Sequence, residues 1–242
     1  MADQEVIKHV KAAIETARDK KMDWKHKLKE ILLEVSIIVF AVSLSIWLHG
    51  WAEGLKDRKE EREFLVGLKQ DLMMDLEEMK SDRASNLKRY RVSQYLEGIG
   101  EGGKLNMDSI EYNIRIFSSW SSISPRISRF EALKGSGRLS IIEDKDLLNR
   151  ITELYAKDFP WIIGLNDNVT KLEMNSLMPY LATHLQMDSH FKGTNWDQLL
   201  RESQTRILIS QLGEMANNNA AGYERGIEHC EKIIEEIGKE VK

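Results

Sequence analysis

Histidines and a single cysteine are the side chains in this 242-residue sequence that first suggest metal chemistry. His184 and His190 lie six residues apart across a predicted helix end, and His229 stands next to Cys230. Two ligands on one helix share a face when they are three or four residues apart, and adjacent residues do not. We therefore expect no metal or cofactor site here, and we expect Cys230 to be a buried or half-buried thiol in a helix.

Carboxylates are concentrated at Asp71, Asp75, Glu77 and Glu78. Helical proteins that bind two metal ions combine such groups with Glu-x-x-His pairs, and this sequence has no such pair. We therefore expect a solvated acidic face. No serine lies in the strand-turn-helix context of a hydrolase nucleophile, so we predict no catalytic residue and no enzyme activity.

The glycine-rich segment 135–137 has two interpretations. Its backbone N–H groups could bind an anion, but the P-loop lysine and a preceding strand are missing. Glycine also ends helices, because it adopts left-handed backbone angles without strain. We favour a corner between a helix that starts at Ser124-Pro125 and a second helix capped by Asp144.

Aromatic residues in the second half of the chain could line an apolar ligand pocket between helices. Aromatic residues at such spacing more often belong to a hydrophobic core. The residues in question are Phe117, Trp120, Phe159, Trp161 and Trp196.

The helices that must position these residues follow an apolar segment, 31–51, which is interrupted by one charged residue, Glu34. As a helix, these 21 residues would extend roughly 31 Å, close to the thickness of the hydrocarbon core of a bilayer. Lysines precede the segment, and Trp47 and Trp51 close it. We expect a transmembrane helix that stays attached, because no small-residue cleavage site follows it.

Three residues of the span suggest contacts with a second helix. Glu34 lies about one turn from the inner end, where its carboxylate either reaches the headgroup region or meets a basic group of a partner helix. Ala41 and Ser45 are four residues apart on one face, a small-xxx-small arrangement that lets two backbones approach. The expected partners are the lipid bilayer and either a second copy or another membrane or periplasmic protein.

Charge predicts the orientation of the span. Six Lys or Arg residues lie within 15 residues before it and four within 15 residues after it, which favours a cytoplasmic N-terminus. Residues after Trp51 carry 27 Lys or Arg and 32 Asp or Glu, so we do not expect a nucleic acid partner. Residues 1–30 are expected to form a cytoplasmic amphipathic segment, either on the inner leaflet or in solution.

Helical periodicity dominates the remaining chain, and no segment alternates as a strand would. Residues 52–97 contain no proline and are predicted to form a stalk or long helix whose distal half packs within the domain. A short coiled coil near the membrane is an alternative for the same segment. The apolar face of this helix comprises Leu65, Leu68, Leu72, Leu76 and Met79, continued less strictly by Leu87, Tyr90 and Leu96.

Residues 98–242 are predicted to form an α-helical bundle, which makes the fold class all-α. We expect Pro160 to begin a helix and Pro179 to end or kink it, because proline lacks a backbone N–H. Residues 217–219, all asparagine, together with Gly222 are expected to interrupt the last helix.

Two segments resemble an uncharacterised family of bacterial single-pass membrane proteins, a domain of unknown function. The anchor of that family reads E-x-x-x-x-x-x-G/A-x-x-x-A/S-x-x-x-x-x-W-x-E, and Glu34, Ala41, Ser45, Trp51 and Glu53 take these places. A second family block contains L-x-x-S-G-x-L-x-x-I-x-D-x-x-L. It is matched here by Phe130, Leu133, Ser136, Gly137, Leu139, Ile142, Asp144, Leu147, Ile151 and Tyr155. The resemblance implies a location in the bacterial inner membrane and no assigned activity.

The sequence leaves two functions open. The first is a non-enzymatic, single-pass inner-membrane protein that presents a helical periplasmic or extracellular domain for protein–protein interaction or self-assembly. The alternative is a tethered periplasmic domain that senses or binds a small ligand between its helices. About 30 residues precede the span, which is too few for an enzymatic output domain on the inner side.

Overall fold

The computed structural model describes residues 2–120 and 122–241. It describes the exposure and contacts of side chains from Trp24 onward, except at residues 25, 27, 30, 107 and 108. Helices make up 84% of the chain. The described residues contain no β-strand, and one isolated bridge pairs Met187 with Gly193. The all-α prediction is confirmed.

Eight α-helices follow one another in the described residues. Two π-helical turns, Leu154–Asp158 and Glu173–Leu177, join α4 to α5 and α5 to α6, and a 3-10 turn covers Leu139–Ile141. The helices are α1 Ala2–Gly100, α2 Met107–Phe117, α3 Ser128–Gly135, α4 Lys145–Glu153, α5 Phe159–Leu172, α6 Met178–His184, α7 Trp196–Arg201 and α8 Ser203–Glu240.

The chain divides into two compact units, Met1–Lys59 and Glu60–Lys242. In the first unit, every side chain from 31 to 56 is exposed, including all the apolar ones. An amphipathic face was predicted for residues 1–30, but most side chains of this segment are outside the described part of the structure.

The second unit contains two apolar clusters. The first joins the part of α1 from Phe64 to Met79 with α3, α4, the start of α5 and the end of α8. The second joins the distal part of α1 with α2, α7 and the beginning of α8. The compact unit thus includes α1 from Glu60 onward, although the sequence placed the start of the bundle at residue 98.

The inward face of α1 follows a regular spacing of three and four residues. It comprises Leu65, Leu68, Leu72, Asp75, Met79, Asp82, Asn86, Arg89, Ser93 and Leu96, all of them buried. The predicted continuation through Leu87 and Tyr90 is wrong, because both of these side chains are only partly buried. Polar residues occupy positions that the 3-4 spacing reserves for the core.

Helices α4, α5 and α6 form one uninterrupted helical segment, and both of its prolines lie just after a π-helical turn. The N–H of Phe159 bonds to the carbonyl of Leu154, five residues earlier, and the N–H of Met178 bonds to that of Glu173 in the same way. This wider turn comes immediately before each proline, where the α-helical hydrogen bond is missing. Pro160 is the second residue of α5, but the helical segment already runs into it from α4, and Pro179 does not end that segment.

Helix α8 runs without a break through residues 217–219, so the predicted interruption is also wrong. Asn219 is buried, and its Nδ2 donates to Asn166 Oδ1 of α5 at 3.2 Å. Gly222 lies so close to α5 that a Cβ there would be 2.8 Å from Leu165 Cδ1. The small residues of α8 are therefore explained by close packing against its neighbours.

Gly213 of α8 is expected to be intolerant of a side chain. A Cβ at this position would lie 2.0 Å from the Oγ and 2.5 Å from the Cβ of buried Ser93. Gly213→Ala should lower the free energy of unfolding by about 1–3 kcal/mol, measured by urea denaturation of the full chain in detergent.

Gly164→Ala is the matched control, because nothing lies within 4 Å of the place that a methyl group would take there in α5. Alanine should stabilise this helix by about 0.5–1 kcal/mol. Equal effects of the two substitutions would contradict the close contact between α8 and α1.

Candidate functional site

The residues predicted for the membrane anchor all lie on the exposed surface of α1. Glu34, Ala41 and Ser45 are exposed, and Trp47 and Trp51 are 64% and 59% exposed. The most apolar 18-residue window of this helix has a mean hydropathy of 2.4, and 0% of it is buried. Among the described residues, α1 is the one helix long and apolar enough to cross a membrane.

The second predicted motif forms a helix corner in which aromatic rings stack. The rings of Phe130 and Tyr155 have centroids 4.6 Å apart and an interplanar angle of 11°, and Phe159 meets Tyr155 edge-on at 5.2 Å. Leu133 is partly buried against the same cluster. These contacts hold α3 against the turn between α4 and α5, which is a structural role.

The backbone N–H groups of residues 136 and 137 form hydrogen bonds with the last turn of α3 and so end this helix. The N–H of Ser136 donates to the carbonyl of Ala132 at 3.1 Å, and the N–H of Gly137 donates to that of Lys134 at 3.0 Å. Gly137 has a φ of 71°, in the left-handed region that favours glycine. Since these donors already have acceptors, the structure favours the corner and leaves no anion cradle at this segment.

Asp144 caps α4 as predicted. Its Oδ1 accepts hydrogen bonds from the N–H groups of Asp146 at 2.8 Å and Leu147 at 3.0 Å. The predicted start of the preceding helix is wrong, because α3 begins at Ser128 and not at Ser124-Pro125.

The acidic residues of α1 contact the start of α3 and the segment before it, and the expectation of a solvated acidic face is wrong for three of the four. Glu78 Oε1 accepts from the N–H of Ser124 at 3.0 Å. Asp75, fully buried, accepts from both the N–H and the Nη1 of Arg126, the latter at 2.6 Å. Asp71 pairs with Nε of Arg129 at 2.8 Å. The start of α3 and the segment before it are thus held against α1 by these carboxylates.

A layer of buried polar side chains lies between the two apolar clusters. Tyr223 is at its centre: its hydroxyl donates to Asp82 Oδ2 at 3.0 Å and accepts from Asn166 Nδ2 at 2.8 Å. Asn166 Oδ1 in turn accepts from Asn219. Burial raises the pKa of Tyr223 well above its usual range, so the hydroxyl stays a donor. The network joins α1, α5 and α8.

Arg89 and Glu173 form the charged part of this polar layer. The Nη1 of Arg89 donates to Asn86 Oδ1 at 3.2 Å, and its guanidinium lies 4.1 Å from the centre of the Trp120 ring. Burial lowers the pKa of Arg89 to about 10, although the negative charges of Asp82 and Glu173 act to raise this pKa. The guanidinium therefore keeps its charge at neutral pH.

Glu173 begins the second π-helical turn and is 1% exposed. Burial raises its pKa to about 7, although the charge of Arg89 acts in the opposite direction. Its Oε2 has no hydrogen-bond partner among the described residues, and neither does Nε of Arg89. Glu173 is therefore a buried carboxyl group that is divided between its neutral and charged forms near pH 7.

Sequence reasoning missed this layer, although a signal for it was present. The apolar face of α1 sets a 3-4 spacing from Leu65, and that spacing continues through Asp82, Asn86 and Arg89. Polar residues at core positions of such a repeat often pair across helices. The partners on α5 and α8 have no comparable signal, because Asn166 is one of several polar residues of a predicted helix and Asn219 was expected in a break of the last helix.

The aromatic residues proposed for a pocket have different surroundings. Phe117 and Phe159 are buried core residues, whereas Trp161 is 39% exposed beneath the guanidinium of Arg225. Trp196 is 5% exposed and lines an apolar groove of about 490 Å³ between α2, α6 and the loop after α6. Trp196 is therefore both a core residue and part of the wall of a groove, and ligand binding there stays a prediction.

The histidines and the cysteine are not gathered into a metal site. His229 lies 2.6 Å from Asp158, measured from Nδ1 to Oδ2, and Cys230 is fully buried with its Sγ 3.5 Å from the carbonyl of Leu72. Burial raises the pKa of the Cys230 thiol to about 12, and the prediction of a buried thiol is confirmed. No group of three or more His, Cys, Asp or Glu residues in the described part of the chain has a geometry that could hold a metal ion.

No protein-family model, curated protein or solved structure shows significant similarity to this chain.

Protonation of Glu173 should make the stability of the protein depend on pH. A folded-state pKa of about 7 exceeds the ordinary value of 4.5, so the folded protein holds this proton more tightly than the unfolded chain. Protonation of Glu173 therefore contributes at most about 3 kcal/mol to the free energy of unfolding. This contribution is complete below about pH 4.5 and is lost as the pH rises through 7. Urea denaturation of wild type and Glu173→Gln at pH 5 and pH 8 measures this contribution.

The loss between pH 5 and pH 8 should be larger in wild type than in Glu173→Gln, which cannot ionise. Glu214→Gln, at an exposed position of α8, is the matched control and should keep the wild-type pH dependence. An identical pH dependence in wild type and Glu173→Gln would show that Glu173 does not titrate in this range.

Proposed function

We propose that this protein is a non-enzymatic, single-pass protein of the bacterial inner membrane, and that its helical unit binds a protein partner or assembles with further copies. The observation that carries the proposal is the exposure of the apolar segment 31–51, none of which is buried by the rest of the chain. In water, such a continuous apolar surface would cause aggregation. The hydrocarbon core of a bilayer is apolar like this segment, and its thickness matches the length of the segment as a helix.

The orientation in this proposal places the N-terminus in the cytoplasm and residues after the span in the periplasm or outside the cell. The excess of Lys and Arg before the span supports it. The resemblance of the anchor to that of bacterial single-pass membrane proteins supports the inner membrane as the location.

Self-assembly through the anchor is the more specific form of the proposal. Ala41 and Ser45 share one exposed face of α1, so that a second helix could approach closely there. Glu34, also exposed, would then meet either the headgroups or a basic group of the neighbouring chain.

A second candidate function is the binding of a small ligand by the tethered unit. The groove beside Trp196 favours it, because its volume of about 490 Å³ is in the range of small-molecule sites. The two functions are compatible, since one concerns the span and the other concerns the second unit.

Labelling of introduced cysteines tests both the anchor and its orientation. The single native cysteine is fully buried, so that a membrane-impermeant maleimide should label only an introduced thiol. In cells whose outer membrane has been permeabilised, Ser189→Cys should be labelled and Thr16→Cys should be labelled only after lysis. Both proteins should sediment with the membranes after carbonate extraction, and recovery in the supernatant would contradict the anchor.

Crosslinking in native membranes tests self-assembly. Ala41→Leu with Ser45→Leu should reduce the crosslinked dimer at least severalfold, because two leucines would separate the helix backbones. Ser43→Leu is the matched control, since residue 43 lies on the opposite face of the same helix. A dimer yield that is unchanged by the double substitution would reject this interface.

A further inference from the structure

The groove beside Trp196 has rigid walls. Its loop, residues 186–194, is fixed by Asp188, whose Oδ1 accepts hydrogen bonds from the N–H groups of His190 and Lys192 at 2.8 and 2.9 Å. The N–H of Thr194 donates to the carbonyl of Gln186 at 2.8 Å and closes the loop. The groove therefore exists before any ligand binds.

Most of the groove surface is apolar. Leu181 and Leu185 come from α6 and its end, Ile114 from α2, and Met187 and Phe191 from the loop. Phe191 is 86% exposed and is held at a φ of 58°, so the loop tolerates backbone strain to present an apolar ring. Apolar side chains on three sides suit a flexible hydrocarbon chain.

One uncompensated positive charge lies at this apolar surface. Arg115 of α2 lines the groove and forms no ion pair with any residue in the described part of the chain. The indole Nε1 of Trp196 is buried and has no hydrogen-bond partner among the described residues. The acidic residue of the groove, Glu111, lies 4.0 Å from Lys192, so its charge is balanced. One positive charge, that of Arg115, is thus available to a ligand.

We propose that this groove binds a long-chain fatty acid, with the carboxylate at Arg115 and the hydrocarbon chain along the apolar walls. A carboxylate supplies a negative charge and acceptor atoms for the guanidinium of Arg115, which has no ion-pair partner among the described residues. The proposal rests on the second candidate function and names its ligand class.

A fatty acid fits the groove better than a protein segment does. The volume of about 490 Å³ matches a small molecule, whereas a stable protein interface covers roughly 800 Å² on each partner. The walls formed by α2 and α6 are helical, and their backbone groups are already hydrogen-bonded within the helices, so an extended peptide would find few backbone partners there.

Photo-crosslinking of the full chain in native membranes tests the proposal. The probe is stearic acid that carries a diazirine on its chain and a terminal alkyne, and adducts are mapped by mass spectrometry. Labelling of the peptide that contains 185–193 is measured relative to labelling of the span, 31–51, which reports probe dissolved in the lipid. We expect Arg115→Ala to lower this ratio about tenfold, as is usual for a charge-assisted hydrogen bond.

Three controls make the outcome decisive. Arg91→Ala removes another exposed arginine, on α1, and should leave the ratio unchanged. Ala182→Trp fills the groove and should abolish labelling there while the protein stays folded by circular dichroism. The matching alcohol probe, which has no charge, should label the groove weakly and equally in wild type and Arg115→Ala.

Several results would overturn the proposal. These are equal labelling by the acid and alcohol probes, labelling of 185–193 that survives Ala182→Trp, or a protein crosslinked at the groove in place of the probe. In the wild-type protein, absence of groove labelling while the protein still sediments with the membranes would reject the ligand alone. Recovery of the protein in the supernatant would reject the membrane anchor.

Discussion

The hydrogen bonds of Tyr223 are the contacts on which the core of the second unit depends. One hydroxyl connects α1, α5 and α8 through Asp82 and Asn166, at the level where the two apolar clusters end. A shift of one helix would leave Tyr223 and the groups that bond to it unpaired, at a cost of about 1–3 kcal/mol for each group. These hydrogen bonds form in one alignment of the three helices. The polar layer therefore fixes the register of α1, α5 and α8 more closely than apolar contacts alone would.

The long helices of this unit remain continuous where the sequence suggests that they should end. Each proline of the α4 to α6 segment follows a π-helical turn, and the asparagines of α8 are absorbed by partners and close packing. One of these turns places Glu173 in the core, facing Arg89. The irregular backbone and the buried carboxyl group are therefore parts of one local arrangement.

Much of the fold could be predicted from the sequence because periodicity and capping are local. The all-α class, the apolar face from Leu65 to Met79 and the cap at Asp144 depend only on nearby residues. The errors concern residues whose role is set by distant partners. Asp75 was expected in solvent because nothing near it in the sequence shows that Arg126 covers it. For the same reason, the sequence named Trp196 as a possible pocket residue but did not locate the groove beside it, because the walls of the groove come from three separate segments.

The buried position of Cys230 has a consequence for the environment in which this protein can work. Its sulfur is shielded from solvent and stays protonated, because burial holds the pKa of the thiol at about 12. Disulfide exchange and peroxide oxidation both require an accessible thiolate. In the folded chain, Cys230 is thus protected from both reactions, whether the protein faces a reducing or an oxidising compartment.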